Sequence, residues 1–199
     1  MKEEVSFWKE SNYLIISNKE KCNKLISYSE LSDNDIIDIL ISLHIVLEVS
    51  LNTLYRHLAL FSLKKNIDEF EVMKNIDNIS FIDKTILFIY NSKFDFDGKL
   101  DQATEYHKII DTIKDFSNIR NKLLHGHTIS TIHRGGTRED SELKKKINLE
   151  YLKEQIKKFC FILKGICFYL DCLDSNLTQQ GKEDLKREYL SDDFLPHLR

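Results

Sequence analysis

Residues 120–126 (Arg-Asn-Lys-Leu-Leu-His-Gly) combine a permanent cation, an amide and an imidazole at the end of an amphipathic helix. A guanidinium pairs with phosphate or carboxylate oxygens, and an imidazole exchanges protons near neutral pH. On a helical wheel centred on Ile113, Arg120 falls at roughly −20°, within the apolar stripe. Arginine is seldom buried alone, so Arg120 requires a carboxylate, a helix end, a second subunit or an anionic ligand. Gly126 suits the C′ position, which places His125 at the helix C-terminus, where the dipole favours imidazolium.

The pattern Arg120-Asn121-x-x-x-His125 resembles the signature of the HEPN superfamily (higher eukaryotes and prokaryotes nucleotide-binding domain). That signature is an Arg, four to six residues and a His, with a polar residue, often Asn, directly after the Arg. The resemblance covers the helical body from about residue 32 to residue 177. One common variant carries Tyr two residues after the His, whereas this chain has His127 there. No subfamily is assigned.

The resemblance implies a metal-independent endoribonuclease, in which the ribose 2′-hydroxyl attacks the adjacent phosphate and leaves a 2′,3′-cyclic phosphate. His125 would move the proton, because imidazole titrates near neutral pH. Arg120 would stabilise the crowded phosphorane, and Asn121 would hold the imidazole or the phosphate through its amide. No cofactor is expected. HEPN-like nucleases usually dimerise, so a homodimer with a composite active site across the two-fold axis is also implied.

By the same resemblance, we expect a cytoplasmic prokaryotic toxin or anti-phage defence effector, with an antitoxin or regulatory protein as a candidate partner. One alternative is a non-catalytic HEPN-like module that binds RNA, nucleotide or a protein partner, since the fold does not fix activity. Another is an unrelated helical bundle in which Arg120 pairs with a buried carboxylate. Glu48 is the best candidate for that carboxylate, and His44, four residues before it, could join the network.

Charge is distributed unevenly along the chain. The net charge of −3 argues against steering of the whole molecule toward nucleic acid. Residues 120–146, however, hold seven basic and three acidic residues, a net +4, which leaves −7 elsewhere. Such a basic segment beside the motif suits phosphate binding, and the candidate RNA contacts are Lys122, His127, Arg134 and Arg138. The alternative is a solvated loop followed by an ordinary charged helix start.

Other constellations carry less chemistry. The four cysteines form no CxxC pair and nothing suggests export, so free thiols are expected; they are Cys22, Cys160, Cys167 and Cys172. Three histidines, His125, His127 and His133, lack an acidic or cysteine partner at fixed spacing, so no metal site is predicted. The most apolar run, residues 159–170, is too short and too interrupted to span a bilayer, and no membrane association is expected.

The apolar periodicity predicts an all-α chain. The strongest helix runs from about Ser32 to Ser62, with its stripe at spacings of three and four: Ile36, Leu40, Leu43, Leu47, Leu51, Leu54 and Leu58. Other predicted segments are one or two short helices in residues 1–30, a Ser80-capped helix to Tyr90, the motif helix 100–125, a loop with a short hairpin at 126–140, and a long helix 141–176. We expect one domain, residues 1–199, built as an up-down helical bundle. A four-helix core at about 32–177 would carry peripheral segments 1–31 and 178–199, the fold that the resemblance also implies.

Overall fold

The computed structural model describes residues 2–28, 30–62, 74–92, 100–124, 130–132, 134, 136, 138–140, 142–173 and 177–195. Within these ranges, side chains are described except at residues 2–12, 60–62, 100–105, 130–132, 138–140 and 142. The described chain is mostly helical, which confirms the all-α prediction. The helices are α1 (Lys2–Ile26), α2 (Asp33–Ser62), α3 (Phe81–Asn91), α4 (Leu100–Leu124), α5 (Glu142–Lys146), α6 (Leu149–Cys172) and α7 (Gln179–Tyr189).

Helix α2 is the centre of the fold, and its start and its buried face both agree with the sequence. Ser32 and Asp35 form a reciprocal capping box: the Ser32 hydroxyl accepts from the Asp35 amide, and the Asp35 carboxylate accepts from the Ser32 amide. All seven residues of the predicted stripe, from Ile36 to Leu58, are buried. Helix α2 contacts α1, α3, α4, α6 and α7, because a stripe this wide must be covered on several sides.

Helices α2, α4 and α6 pack around one core. His44 and Glu48 of α2 lie beside Phe116 and Arg120 of α4 in the same order, so these two helices run parallel. Helix α6 runs antiparallel to α4, since Phe116 faces Phe159 with ring centroids 6.4 Å apart, while Ile109 lies over Gly165. A Cβ atom on Gly165 would meet Ile109 Cγ1 at 3.0 Å and Cδ1 closer still. Glycine therefore permits the close approach of α4 and α6.

The short connection after α4 contains the predicted hairpin. Strands β1 (Ser130–Ile132) and β2 (Arg138–Asp140) pair antiparallel, with Thr131 opposite Glu139. Gly136, between the strands, has a φ of 79°, a conformation that glycine adopts without strain. The hairpin confirms the prediction for this loop, and it leads directly into α5.

Three expectations about elements were wrong. Residues 2–26 form one continuous helix, α1, which buries Ile15, Cys22 and Ile26 in the core instead of docking as short pieces. The last long helix is broken: Ile147 is buried outside a helix, and the Asn148 side chain accepts from the Tyr151 amide to start α6. That capping bond competes with a continuous helix. Helix α6 also ends earlier, at Cys172, where Leu173 forms a bridge with Ser92.

The last turn of α4 departs from its predicted burial. Ile109, Ile113 and Phe116 are buried as the wheel indicates, but Leu124 is 49% exposed. The end of α4 therefore carries an apolar side chain that is about half exposed.

One described helix passes a length-and-composition test for a membrane span. Residues Asp33–Ala59 of α2 include a window with mean hydropathy 1.7, and 61% of that window is buried inside the fold. A core helix has the same composition, so this property is weak evidence for a membrane.

Candidate functional site

Arg120 lies on the last turns of α4 and reaches toward α2. Its Nη2 donates to Oε2 of Glu48 in an ion pair, and its Nη1 donates to Asn121 Oδ1 at 3.1 Å. About a quarter of the Arg120 side chain (25%) and a third of the Glu48 side chain (32%) remain exposed. The sequence predicted that Arg120 lies within an apolar stripe and that Glu48 is the best candidate for a carboxylate partner. In the structure, Glu48 is the carboxylate that pairs with Arg120.

Glu48 holds two basic groups at once. His44 Nε2 lies 3.4 Å from the same Oε2, an electrostatic contact, because neither His44 ring nitrogen makes a hydrogen bond of good geometry to the described residues. His44 and then Arg120 lower the pKa of Glu48 from 4.5 to about 2, against the opposing effect of burial. Glu48 is therefore ionised at neutral pH and is a poor general base.

The guanidinium keeps capacity for an additional anion. Arginine has five N–H donors in a planar fork. Within the described chain, Glu48 and Asn121 take one nitrogen each, which leaves Nε and further N–H groups for other acceptors. An oxyanion with two free oxygens matches such a fork. The bonds to Glu48 and Asn121 therefore do not use all the donors of this guanidinium.

The polar residues beside Arg120 continue along α2 at a spacing of four. After His44 and Glu48 comes Asn52, whose Oδ1 accepts from Lys84 Nζ at 3.0 Å. Next comes Arg56, whose Nε donates to Asp77 Oδ1 at 2.7 Å. Only His44 and Glu48 were predicted from the sequence. The repeated i,i+4 spacing of polar residues on an otherwise apolar helix was the signal that could have found the others.

The other predicted site residues are placed only in part. Lys122 is exposed on α4, two residues beyond Arg120, and Arg134 is exposed at the turn of the hairpin. Arg138 lies in β2, but its side chain lies outside the described residues. His125 directly follows the end of α4 in sequence, and His125, His127 and His133 all lie outside the described residues. Their roles stay predictions.

A basic groove lies at the start of α6. It has a volume of about 790 Å³, and its lining includes Lys145, Lys146, Lys153 and Lys157 as well as Glu150 and Glu154. Because α4 and α6 are antiparallel, this groove lies near the motif end of α4. In agreement, burial, Glu154 and then Asp115 of α4 raise the pKa of Tyr151. Lys153 and Lys157, which repeat at i,i+4 on α6, extend this basic surface beyond the basic segment 120–146 that the sequence indicated.

The thiols and carboxylates of the described chain do not offer a second reactive centre. Burial raises the pKa of Cys22 to about 12 and that of Cys167 to about 11, so neither thiol ionises readily. Among the residues that the structure describes, no group of three or more His, Cys, Asp or Glu could hold a metal ion. The cysteines are free, as expected, but Cys160 and Cys167 are only partly buried.

Comparisons with known proteins add no family assignment: no family model matches this chain, and neither curated proteins nor solved structures give a match.

Proposed function

We propose that this chain is a HEPN-type endoribonuclease that cleaves RNA without a metal ion. In this reaction the 2′-oxygen loses its proton and attacks phosphorus, and the 5′-oxygen of the next nucleotide leaves with a proton. The products are a 2′,3′-cyclic phosphate and a 5′-hydroxyl. Its helices would form the up-down four-helix core of that superfamily, with α1 and α7 as additions.

The observation that carries this proposal is the partly exposed Arg120 guanidinium, which Glu48 and Asn121 hold five residues before His125 in the sequence. Arg120 would stabilise the charge that develops on the phosphorane, since a preorganised cation is most effective where water is partly excluded. His125 would transfer the protons. Glu48 acts as a positioning residue, because its ionised carboxylate fixes the guanidinium and is too weak a base to take the 2′-proton.

The motif supplies one imidazole per chain, which is little for a reaction that removes one proton and supplies another. We propose that two chains pair so that their motifs face one composite cleft. The exposed apolar side chains at this end support pairing: Leu124 at the end of α4 and Leu149 at the start of α6 are 49% and 43% exposed. Lys122, Arg134, Arg138 and His127, together with the basic groove, would guide the RNA backbone into that cleft.

The proposed biological setting rests only on the resemblance to the HEPN superfamily. We place the protein in the cytoplasm as a prokaryotic toxin or anti-phage defence effector that an antitoxin or another regulatory protein restrains. The proposal requires no cofactor.

A second candidate is a non-catalytic HEPN-like module that binds RNA, nucleotide or a protein partner. The observation that favours it is the Arg120–Glu48 pair, since a carboxylate from the same chain already neutralises the arginine. In that case the motif stabilises the contact between α2 and α4 and performs no chemistry.

The deciding experiment is cleavage of an end-labelled RNA pool in EDTA by wild type, Arg120→Ala and His125→Ala. Arg187→Ala is the matched control, because Arg187 is an exposed arginine on α7 that pairs with Asp184. We expect wild type and Arg187→Ala to cleave equally and leave cyclic-phosphate ends. The two motif variants should lose at least about a hundredfold in rate.

Cleavage that survives in either motif variant, or that requires added Mg²⁺, would contradict the proposal. If folded wild type cleaves nothing, the binding module becomes the better interpretation. Its affinity for RNA should then fall steeply with salt if the contacts are to phosphates.

A further inference from the structure

A cavity of about 480 Å³ lies between α2, α3 and the end of α6, away from the motif. Most of its lining is apolar and includes Leu58, Ala59, Ile79, Phe88 and Leu173. Its volume is within the roughly 300–1,000 Å³ typical of sites for small molecules. One charged group, Lys84, lines this cavity within the described chain.

Lys84 is 9% exposed, and its one hydrogen bond within the described part of the chain is to a neutral side chain. Its ammonium has three N–H donors, and its hydrogen-bond partner among the described residues is the neutral Asn52 Oδ1, at 3.0 Å. Two acids of the described chain act on it electrostatically, but Asp77 is already bonded to Arg56 and Glu48 to Arg120. Burial lowers the pKa of Lys84, and Asp77 offsets part of that effect. A buried charge with a single neutral hydrogen-bond partner is costly, and two of its three N–H donors keep capacity for further acceptors.

Lys182 shows how the same fold satisfies a buried lysine elsewhere. It is 8% exposed, nearly the same as Lys84. Its Nζ donates to the Asp171 carbonyl at 3.0 Å and the Leu173 carbonyl at 2.7 Å, at the C-terminus of α6. Those carbonyls also carry the negative end of the helix dipole. Lys84 has neither of these stabilising features among the described residues, and it lines an open cavity.

We propose that this cavity binds a small amphipathic monocarboxylate, whose chain packs among the apolar lining and whose carboxylate accepts from Lys84 Nζ. One ammonium matches one negative charge, whereas a phosphate dianion would leave a second charge in an apolar pocket. The apolar wall excludes a purely polar anion as the best ligand, because most of the buried surface would then be mismatched. This site is independent of RNA cleavage.

The test is isothermal titration of the full chain with octanoate, 1-octanol, octylammonium and inorganic phosphate. We expect octanoate to bind at least about tenfold more tightly than octanol, and octylammonium and phosphate not to bind measurably. Lys84→Met, which keeps the length of the side chain but removes its charge, should reduce octanoate affinity to that of octanol. Octanoate should also dissociate as the pH is raised through the pKa of the amine, because the bound anion needs the charged form.

Two further variants keep the result interpretable. Lys158→Met removes a partly buried lysine that pairs with Glu154 on α6, about 22 Å of helix from Leu173, and should leave octanoate binding unchanged. Ala59→Phe fills the cavity while it retains Lys84, and should abolish binding of octanoate and octanol alike. If Lys84→Met does not fold, octanoate binding by Ala59→Phe is the measurement that tests the proposal.

Several outcomes would overturn the proposal. These are equal affinity of wild type for octanoate and octanol, tight binding of inorganic phosphate, a preference for octanoate that survives Lys84→Met, and no binding of any probe to the folded wild type. Undiminished octanoate binding by Ala59→Phe would equally place the ligand elsewhere.

Discussion

Glu48 supplies the negative charge between α2 and α4, because one of its two carboxylate oxygens, Oε2, lies close to both Arg120 and His44. A partly buried arginine that lost this partner would retain the cost of desolvation without the compensating attraction. The residue also links stability to pH, because its pKa is well below the ordinary value of 4.5. The contact can therefore be measured without any assumption about function.

We expect Glu48→Gln to lower the free energy of unfolding at pH 7 by about 1–2 kcal/mol, after allowance for its partial exposure. A depressed pKa contributes stability above the unfolded value, and this contribution is lost as the pH falls through the folded one. The difference between wild type and variant should therefore shrink between pH 4.5 and about 2. Urea titrations across this range measure it.

Glu154→Gln is the control for this effect, since Glu154 pairs with Lys158 on the solvent side of α6 and is 59% exposed. An exposed pair of this kind contributes less than about 1 kcal/mol. A Glu48→Gln deficit that stayed constant down to pH 2, or that was no larger than that of Glu154→Gln, would contradict the linkage.

At the scale of elements, helix ends and helix contacts rest on a few local features. Ser32, Ser80, Asn148 and Thr178 each cap a helix through a side-chain oxygen. Asn148 matters most for the comparison with sequence, because it separates α5 from α6 where the periodicity predicted one helix.

We expect Asn148→Ala to destabilise the protein by about 1 kcal/mol, the usual cost of removing an N-cap oxygen. Asn118→Ala is the control: Asn118 is exposed within α4, where alanine is the better helix former, so its effect should be neutral or slightly stabilising. Chemical denaturation of both variants provides the comparison. Equal effects would show that Asn148 does not start α6.

Gly165 sets the distance between α4 and α6. We expect Gly165→Ala to destabilise by about 1–2 kcal/mol, because overpacking against Ile109 exceeds the gain in helix propensity. Ile109→Val removes the Cδ1 atom that the new methyl group would meet. In a double-mutant cycle measured by denaturation, the two changes should couple by at least about 0.5 kcal/mol. Strict additivity would mean that the helices move apart freely.

At the scale of the whole molecule, the motif end of the bundle has uncovered apolar surface. If two chains pair there, light scattering should give twice the chain mass of 23.5 kDa. We expect Leu124→Arg to yield the monomer, because burying an unpaired arginine at the interface is unfavourable. Leu87→Arg is the matched control, since Leu87 is 48% exposed but lies on α3, and it should remain dimeric.

A monomeric wild type at high micromolar concentration, or a Leu124→Arg variant that stays dimeric, would remove the composite cleft from the proposed mechanism. Cleavage by a monomer would then require both proton transfers from one chain. Light scattering and the RNA cleavage assay together therefore separate the oligomeric state from the catalytic activity.

The sequence alone determined the elements whose residues repeat with helical spacing and whose ends carry capping groups. Helix α2, its start near Ser32 and its seven-residue stripe were predicted correctly, as were the Ser80 cap and the hairpin after α4. These features depend on neighbours within a few residues, so local periodicity and turn chemistry suffice. An arginine within an apolar stripe needs a carboxylate, a helix end, a second subunit or an anion, and Glu48 was the best candidate if that partner was a carboxylate.

The tertiary structure alone decided which side chains from separate helices meet. The break at Asn148, the exposure of Leu124, the isolation of Lys84 and the close approach at Gly165 depend on where each helix lies against the others. Periodicity reports which face of a helix is apolar, but not how far the partner helix extends along it. For that reason the sequence could indicate the charged pair at Arg120, whereas the Lys84 cavity became visible only once α2, α3 and α6 were assembled.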